Sequence, residues 1–552
     1  MADAPALLSQ FYLTIDGRNA SDALMRDLVE ITVESSLHLP DVATLTLYDA
    51  ALRWIDDATL APGTTVQVAA RAGGQDRVIF DGEIVEIEPD FGPTTHRLVV
   101  RAFDRLHRLG RGRYVRSFLN VTDGDLVRQI AREVGLQASV GPTPRVNQYV
   151  FQGNETNGEF LRRRAAMLGY MLFVRGQTLH FETLQTDGPI VDVEWGVTLR
   201  EFRPRLATSG QVDGVVVRGW DPSTRREIVG QARHGQGGPT VGVSESGGAM
   251  ARAAFNLAAQ TLVTDRPVRT QAAADGLAQA QADRAAGRFI EAEGACSGIP
   301  ALVAGSPLRV SAVGDRFGGV YCVTRATHVY NAREGYLTHF SISGQHPLTL
   351  SSLLAPEPPG VPAGGVVIGI VTDNQDPAGQ GRVKVKYPWL SADHTSDWAR
   401  IAVPGGGAGR GIEFLPEVND EVLVGFELGD IHYPYVLGGL WNGQDAPPQR
   451  SNQLVRGGRV QRRVIRSRGG HTVTFDDDDG GGGITIADRA GNTVVLNSAA
   501  NTLTIAARGD LTLEARGRVR IKGLGVAIDG GIGPVDVNGS VISMKDATGP
   551  VK

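Results

Sequence analysis

Few residues in this sequence could do chemistry, and their spacing argues against it. Pro404-Gly-Gly-Gly-Ala-Gly-Arg-Gly411 has the glycine content of a phosphate-cradling loop. Such a loop needs a lysine and a serine or threonine after its last glycine, with a helix behind them. Here Ile412-Glu-Phe-Leu415 follows and reads as a strand, so the segment is expected to be a structural loop. Asp476–Asp479, followed by Gly480–Gly483, could offer carboxylates to a hard cation. The spacing is not that of an EF-hand loop, and adjacent side chains alternate in direction, so a solvated turn is expected. His432 and His471 are isolated, without a second His, Cys or Glu at ligand spacing, and no HExxH occurs. Cys296 and Cys322 are the only cysteines and form no CxxC, which predicts free thiols in buried places. No GxSxG elbow is present. No catalytic, cofactor-binding or metal-binding residue is therefore assigned, and an enzyme is not expected.

The elements give more information, above all near the C-terminus. Ala507-Arg508-Gly509, Ala515-Arg516-Gly517 and a degenerate Gly523-Leu524-Gly525 place glycines eight residues apart. Between them run short alternating segments. Leu503/Ile505, Leu511/Leu513 and Val519/Ile521 fall on one face, and Thr504, Thr512, Glu514, Arg520 and Lys522 on the other. A strand-plus-turn repeat of this kind marks a β-helical array. Gly509, Gly517 and Gly525 are expected to supply left-handed corners. Burying one Leu or Ile yields about 1.5–3 kcal/mol, and only if something covers it. One narrow strand cannot cover itself. Two further copies wound round a common axis would do so and would pair the strand edges. The expectation is a trimeric β-helix over 453–552, with Leu503, Ile505, Leu511, Leu513, Val519 and Ile521 as its axial core. After Gly525 the register slips by one, to Val526 and Ile528.

At 552 residues the chain has room for three or four domains. Gly makes up 71 of them, well above the usual share of about 7%, which favours many turns and a mainly β fold. A formal charge of −5 gives no footprint for nucleic acid. The N-terminus lacks the basic and apolar regions of a signal peptide, and no run reaches membrane-spanning length, so folding in the cytoplasm is expected. Strands are predicted at 44–48, 65–69, 78–87 and 96–103, and again at 212–220, 308–313, 320–327 and 338–343. Helices are predicted at 121–135 and 157–168, the second stopped by Gly169, within a small α/β insertion at about 106–190. A Gly/Ser-rich loop at 235–248 precedes an Ala-rich helical stretch at 249–288. The proline-rich 355–365 reads as a linker, and Asp445-Ala-Pro-Pro448 as a second break.

Between those breaks the sequence resembles a known family. Gly381-Arg-Val-Lys-Val385, Trp398-Ala-Arg400, Phe414-Leu-Pro-Glu417, Asp420-Glu-Val422 and Val436-Leu-Gly438 are similar to the OB-fold domain of VgrG-type spikes and phage baseplate assembly protein V. Asn419 replaces the usual glycine, but it too tolerates a left-handed turn. Phe160-Leu-Arg-Arg163, Met167-Leu-Gly-Tyr170, Leu179-His-Phe181 and Gly318-Gly-Val-Tyr321, followed by Val323-Thr-Arg325, His328 and Tyr336, resemble the hub called phage late control protein D. Gly470-His-Thr-Val-Thr-Phe475 resembles the start of the spike β-helix.

The resemblance implies a mainly β chain in a fixed order. A hub of two tube-like β-barrels occupies 1–354, an OB-fold domain 366–448, and an intertwined trimeric β-helix needle 453–552. It further implies the homotrimeric central spike of a contractile injection system, with a pseudo-sixfold hub capping a hexameric inner tube or tube initiator. Baseplate components, a PAAR-type tip protein and effector cargo are the implied partners; the target membrane would be met only on puncture. Val541, Met544 and Val551 are the expected tip contacts. Some spikes carry a lysozyme or C-terminal effector domain, but the 445–465 interval is too short for one and Gly549-Pro-Val-Lys552 ends the sequence, so neither is expected. A compact spike of this kind suits a secretion-type or released extracellular particle. The alternative is an OB-fold nucleic-acid or glycan binder with a β-solenoid adhesin tail, using Tyr387, Trp389 and Trp398 as a stacking platform. The acidic run Glu413, Glu417, Asp420, Glu421, Glu427 and Asp430 weighs against it.

Overall fold

Alternation of apolar and polar residues builds most of the chain. In Val42–Tyr48, Ala43, Leu45 and Leu47 are buried while Thr44 and Thr46 stay half-buried, and His96–Phe103 repeats the pattern with Leu98, Val100 and Ala102. The computed structural model describes residues 10–72, 75–92, 96–183, 188–236, 238–331, 333–344, 365–391, 393–478 and 480–543. It divides into two compact units, Met1–Leu440 and Trp441–Lys552. The expected linker, 355–365, lies outside the described residues except for Gly365.

The first unit is organised by one antiparallel eleven-stranded sheet. Seven strands come from the N-terminal region: β1 (Gln10–Ile15), β2 (Arg18–Asn19), β3 (Leu28–Ser36), β4 (Val42–Tyr48), β5 (Thr65–Ala72), β6 (Gln75–Phe91) and β7 (His96–Phe103). Four come from much later: β8 (Leu199–Leu206), β9 (Ile290–Ser297), β10 (Arg325–Asn331) and β11 (Gly335–Ile342). Their order is β8-β9-β11-β10-β3-β4-β7-β6-β5-β1-β2. The two halves join where β10 pairs with β3, His328 opposite Val33 and Tyr330 opposite Ile31. The strands expected to form two barrels thus share one continuous sheet.

Between the halves lies the α/β insertion. Helices α1 (Asp123–Glu133) and α2 (Asn157–Leu168) both begin with capping boxes, Thr122 with Asp125 and Thr156 with Glu159. Gly169 ends α2 in the left-handed region (φ 69°), as its position predicts. Leu126 and Ile130 pack with Phe160, Leu161 and Phe181 in the insertion's own core. The Ala-rich stretch differs from expectation. It breaks into α3 (Gly247–Phe255) and α4 (Gln271–Gly287), with a strand at Gln260–Val263 between them. Asn256 adopts the left-handed conformation (φ 51°) and stops the first helix, and Pro267, which has no N–H to donate, lies between the two helices. The 235–248 loop contains the strand Thr240–Val241 and the N-cap Ser246 of α3. The predicted strand 320–327 divides into Gly319–Cys322 and β10, which pair in different sheets.

The OB segment closes the first unit with β12 (Val366–Asp373), β13 (Lys384–Lys386), β14 (Arg400–Ile401), β15 (Glu421–Phe426) and β16 (Pro434–Gly439), in the order β13-β12-β15-β16-β14. Val371, Val383, Val385, Val422, Val424 and Val436 fill its core. Asn419 takes the left-handed conformation (φ 77°) immediately before β15. Ile412-Glu-Phe-Leu415, read from the sequence as a strand, forms none. The segment finds no strand edge to pair with and leaves Ile412, Phe414 and Leu415 exposed.

The second unit is a five-stranded antiparallel meander: β17 (Arg462–Arg466), β18 (Thr472–Asp476), β19 (Gly483–Ala487), β20 (Thr493–Asn497) and β21 (Thr502–Ala506). After β21 no strand occurs among the described residues. Bends do recur at Arg508-Gly509, Arg516-Gly517 and Gly523-Leu524, keeping the repeat's spacing. Gly509, Gly517 and Gly525 do not adopt positive φ, contrary to expectation. The backbone bends at Gly509 and Gly517, and just before Gly525, without folding back on itself, so the left-handed corner of a tight reversal is not needed.

Candidate functional site

The register of the meander puts nearly all of its apolar residues on one side. Ile465, Val473, Ile486, Val494 and Ile505 form one cross-strand row. Arg463, Phe475, Ile484, Leu496 and Leu503 form the next row on the same face. The opposite face carries Val464, Thr474, Thr485, Val495 and Thr504, flanked by Arg462, Asp476, Asn497 and Thr502. Among the described residues of one chain nothing adequately covers the apolar face. Ile465, Phe475, Ile486, Leu496, Leu503 and Ile505 are all exposed. The same holds downstream, where Leu511, Leu513, Val519 and Ile521 are exposed, Leu513 to 71% and Ile521 to 69%. A contiguous apolar surface of this size marks an interaction site. The structure therefore brings Leu503 and Ile505 onto a shared face with eight further positions. It leaves Leu511, Leu513, Val519 and Ile521 unpaired in an extended segment. Val541 is exposed at 84%, and Met544 and Val551 lie outside the described residues.

The acidic turn has partners that the motif reading missed. Asp476 pairs with Arg462 at 2.8 Å, and Asp477 pairs with Arg463. Desolvation is the largest single effect on the Asp476 carboxyl and raises its pKa, but the Asp478 amide and the Arg462 guanidinium together outweigh it and hold the group below its usual range. The charge complementarity between Arg462-Arg463 and Asp476-Asp477 was the available signal. His471 lies in the β17–β18 turn, where its amide donates to the Ser467 hydroxyl. The Pro404–Gly411 loop closes on itself, Ile412 N–H donating to the Pro404 carbonyl, and does not open a helix.

A second functional feature joins the insertion to the OB barrel. The strand Val146–Glu155 buries both faces: Val150 enters the insertion's core, and Phe151 enters the OB core beside Val371 and Val385. The Tyr149 hydroxyl donates to the Thr395 carbonyl at 2.7 Å. The Phe151 amide lies 3.1 Å from His432 Nε2, and His432 Nδ1 lies 2.6 Å from Asp430. Burial opposes ionisation of Asp430, but the contact with His432 outweighs it and lowers the carboxyl's pKa. Arg269, just before α4, pairs with Glu427, which also accepts from the Tyr435 hydroxyl at 2.7 Å. His432 is thus a structural ligand of backbone and carboxylate. The apolar run Tyr149-Val150-Phe151, buried on both sides, was the sequence signal for this junction.

The stacking platform of the alternative reading is not assembled. Tyr387 is buried in the OB core, and Trp398 is covered by Lys384 and Arg382, 4.9 and 5.9 Å from its ring centre. Trp389 alone of the three is exposed. Cys296 and Cys322 are free, and burial pushes both thiols up to about 12. Among the described residues no group of three or more His, Cys, Asp or Glu could hold a metal. No helix among them is long and apolar enough to cross a membrane.

Comparison with known proteins completes the picture. Residues 6–331 match the family described as the Alg8 N-terminal domain. The chain belongs to the Alg8 N-terminal domain family. Residues 367–441 of this family member match the type VI secretion system/phage-baseplate injector OB domain. Over 127 residues it is 35% identical to the type VI secretion system spike protein VgrG5 of Pseudomonas aeruginosa, covering 21% of this chain and 15% of that protein. Over 72 residues it is 35% identical to the spike protein VgrG3 of Vibrio cholerae, covering 12% and 7%. The matches therefore span only a small part of these relatives' length. In fold it resembles a chain of the lidded Francisella PdpA–VgrG complex, with a TM-score of 0.53 and 9% identity over 91% of this chain and 81% of that one. The chain thus shares its fold with a VgrG-containing complex and carries an injector-type OB domain, and the curated relatives it matches in part are named as spike proteins.

Proposed function

We propose that the chain is a non-enzymatic homotrimeric spike of a contractile injection system. The observation that carries this reading is the apolar face of β17–β21, continued by the exposed Leu511, Leu513, Val519 and Ile521. In water such a surface is costly; turned towards two further copies it becomes an axial core. Interwound copies would also pair the free edges of β17 and β21, giving a shaft without frayed strands that bears axial load. The two strand sets of the hub sheet suit a threefold assembly with a pseudo-sixfold face, able to cap a hexameric inner tube or tube initiator. Baseplate components would surround the hub. A PAAR-type tip protein would seat on Val541, Met544 and Val551, and effector cargo would travel with the spike, which meets the target membrane on puncture. Assembly would take place in the cytoplasm, within a phage-tail-like, type VI-like or released extracellular particle. In this reading 1–354 is the hub, 366–448 the OB domain and 453–552 the needle.

Light scattering of the purified full-length chain tests the reading. Three chains per particle is the expected mass. A monomer at micromolar concentration would remove the axial core and with it the proposal.

A further inference from the structure

The repeat after β21 carries charge in an order that its apolar positions do not explain. In β21, Leu503 and Ile505 lie on the apolar face, and Thr502, Thr504 and Ala506 on the other. A step of eight residues takes Leu503 to Leu511 and Val519, and Ile505 to Leu513 and Ile521. The same step takes Thr502 to Asp510 and Arg518, Thr504 to Thr512 and Arg520, and Ala506 to Glu514 and Lys522. On the polar side, then, the charged residues of one repeat are both acids, Asp510 and Glu514 beside the neutral Thr512, and those of the next are all bases, at matching positions. Arg508 and Arg516 stand at the bends, outside this set. Asp510, Glu514, Arg518, Arg520 and Lys522 are all exposed, and none makes an ion pair within the chain among the described residues.

We infer that the acidic repeat 510–514 of one copy lies beside the basic repeat 518–522 of a second copy, Asp510 facing Arg518 and Glu514 facing Lys522. This rests on the trimeric reading above. Directly opposed side chains in paired strands stand about 4.5–5.5 Å apart at Cβ, within ion-pair reach, and like charges there are destabilising. If equal repeats lay side by side, acid would face acid and base would face base. A stagger of one repeat pairs every acid with a base and sets Arg520 against the Thr512 hydroxyl.

The bends lead to the same stagger. With one bend per repeat and threefold winding, each bend hands a chain to the next face. There it lies on the preceding repeat of its neighbour. The apolar repeat alone leaves the stagger loosely specified, because Leu, Val and Ile replace one another with little penalty. The charges distinguish one register from the others, so the partner surface is a second copy of this chain shifted by one repeat.

The test uses full-length chains followed by light scattering on heating at low salt. One variant carries Asp510→Lys with Glu514→Lys, a second Arg518→Glu with Lys522→Glu, and a third all four changes. Each double variant should dissociate on the order of 5 °C or more below the unaltered trimer, with the gap closing in high salt. The fourfold variant, with its charges exchanged, should recover most of the loss. Double variants that dissociate with the unaltered trimer, or a fourfold variant no better than the doubles, overturn the pairing and leave the trimer standing. A monomeric unaltered chain overturns both.

Discussion

His328 illustrates how single residues are committed to structure in this protein. It is fully buried at the seam of the eleven-stranded sheet, its Nδ1 2.8 Å from the Tyr336 hydroxyl and 3.2 Å from Thr338 Oγ1. Burial lowers its pKa to about 4, outweighing a backbone contact at Leu302 that raises it. An unfolded histidine titrates near 6.5, so between about pH 6.5 and 4 the unfolded state takes up a proton that the folded state refuses. This contribution to stability is complete above that window and is lost as pH falls through it, by on the order of 3 kcal/mol. The first unit's melting temperature should fall with pH across this range. A His328→Asn chain, though less stable, should show a shallower slope; equal slopes would rule the residue out as the source. Phe151 makes a different commitment, joining the insertion to the OB core. Phe151→Ala should cost about 3–5 kcal/mol, seen as a lower denaturant midpoint with faster proteolysis between the insertion and the OB barrel.

At the scale of elements, the meander and the repeat behind it resemble parts of a larger core. Alternation sends Leu513 to the apolar side, where 71% exposure in one chain is unfavourable. If three copies share an axis, Leu513→Asp gathers three carboxylates around it. Uncompensated charges in a dry core cost several kcal/mol. The trimer should then dissociate at a lower temperature, and an unchanged transition would reject Leu513 as an inward residue. The capped helices α1 and α2 show the opposite case. Thr122, Thr156 and Gly169 fix their ends by local bonds alone, so their bounds need nothing from other chains.

For the whole molecule, the proposal divides labour between a hub-and-OB unit and a tail whose apolar surface awaits other copies. A chain lacking 453–552 should keep its first unit folded and associate far more weakly than the full chain. The two masses measured by light scattering at one concentration check this. Equal masses would move the trimer's source to the hub. Local sequence was enough for much of this architecture. The period-two runs at 44–48 and 96–103, the Gly169 stop of α2 and the glycine-spaced repeat were legible because alternation and turn chemistry act over a few neighbouring residues, whereas the OB segment was legible through its resemblance to a known family. The pairing of β10 with β3 joins residues about three hundred positions apart, and no short-range pattern records it. The break of the Ala-rich helix at Asn256, the double burial of the Tyr149-Phe151 strand, the Arg462–Asp476 pair and the absence of left-handed backbone at Gly509, Gly517 and Gly525 were likewise settled only by the fold. Each depends on which distant surface is available to pair with or to cover a segment, and that is fixed only when the whole chain is packed.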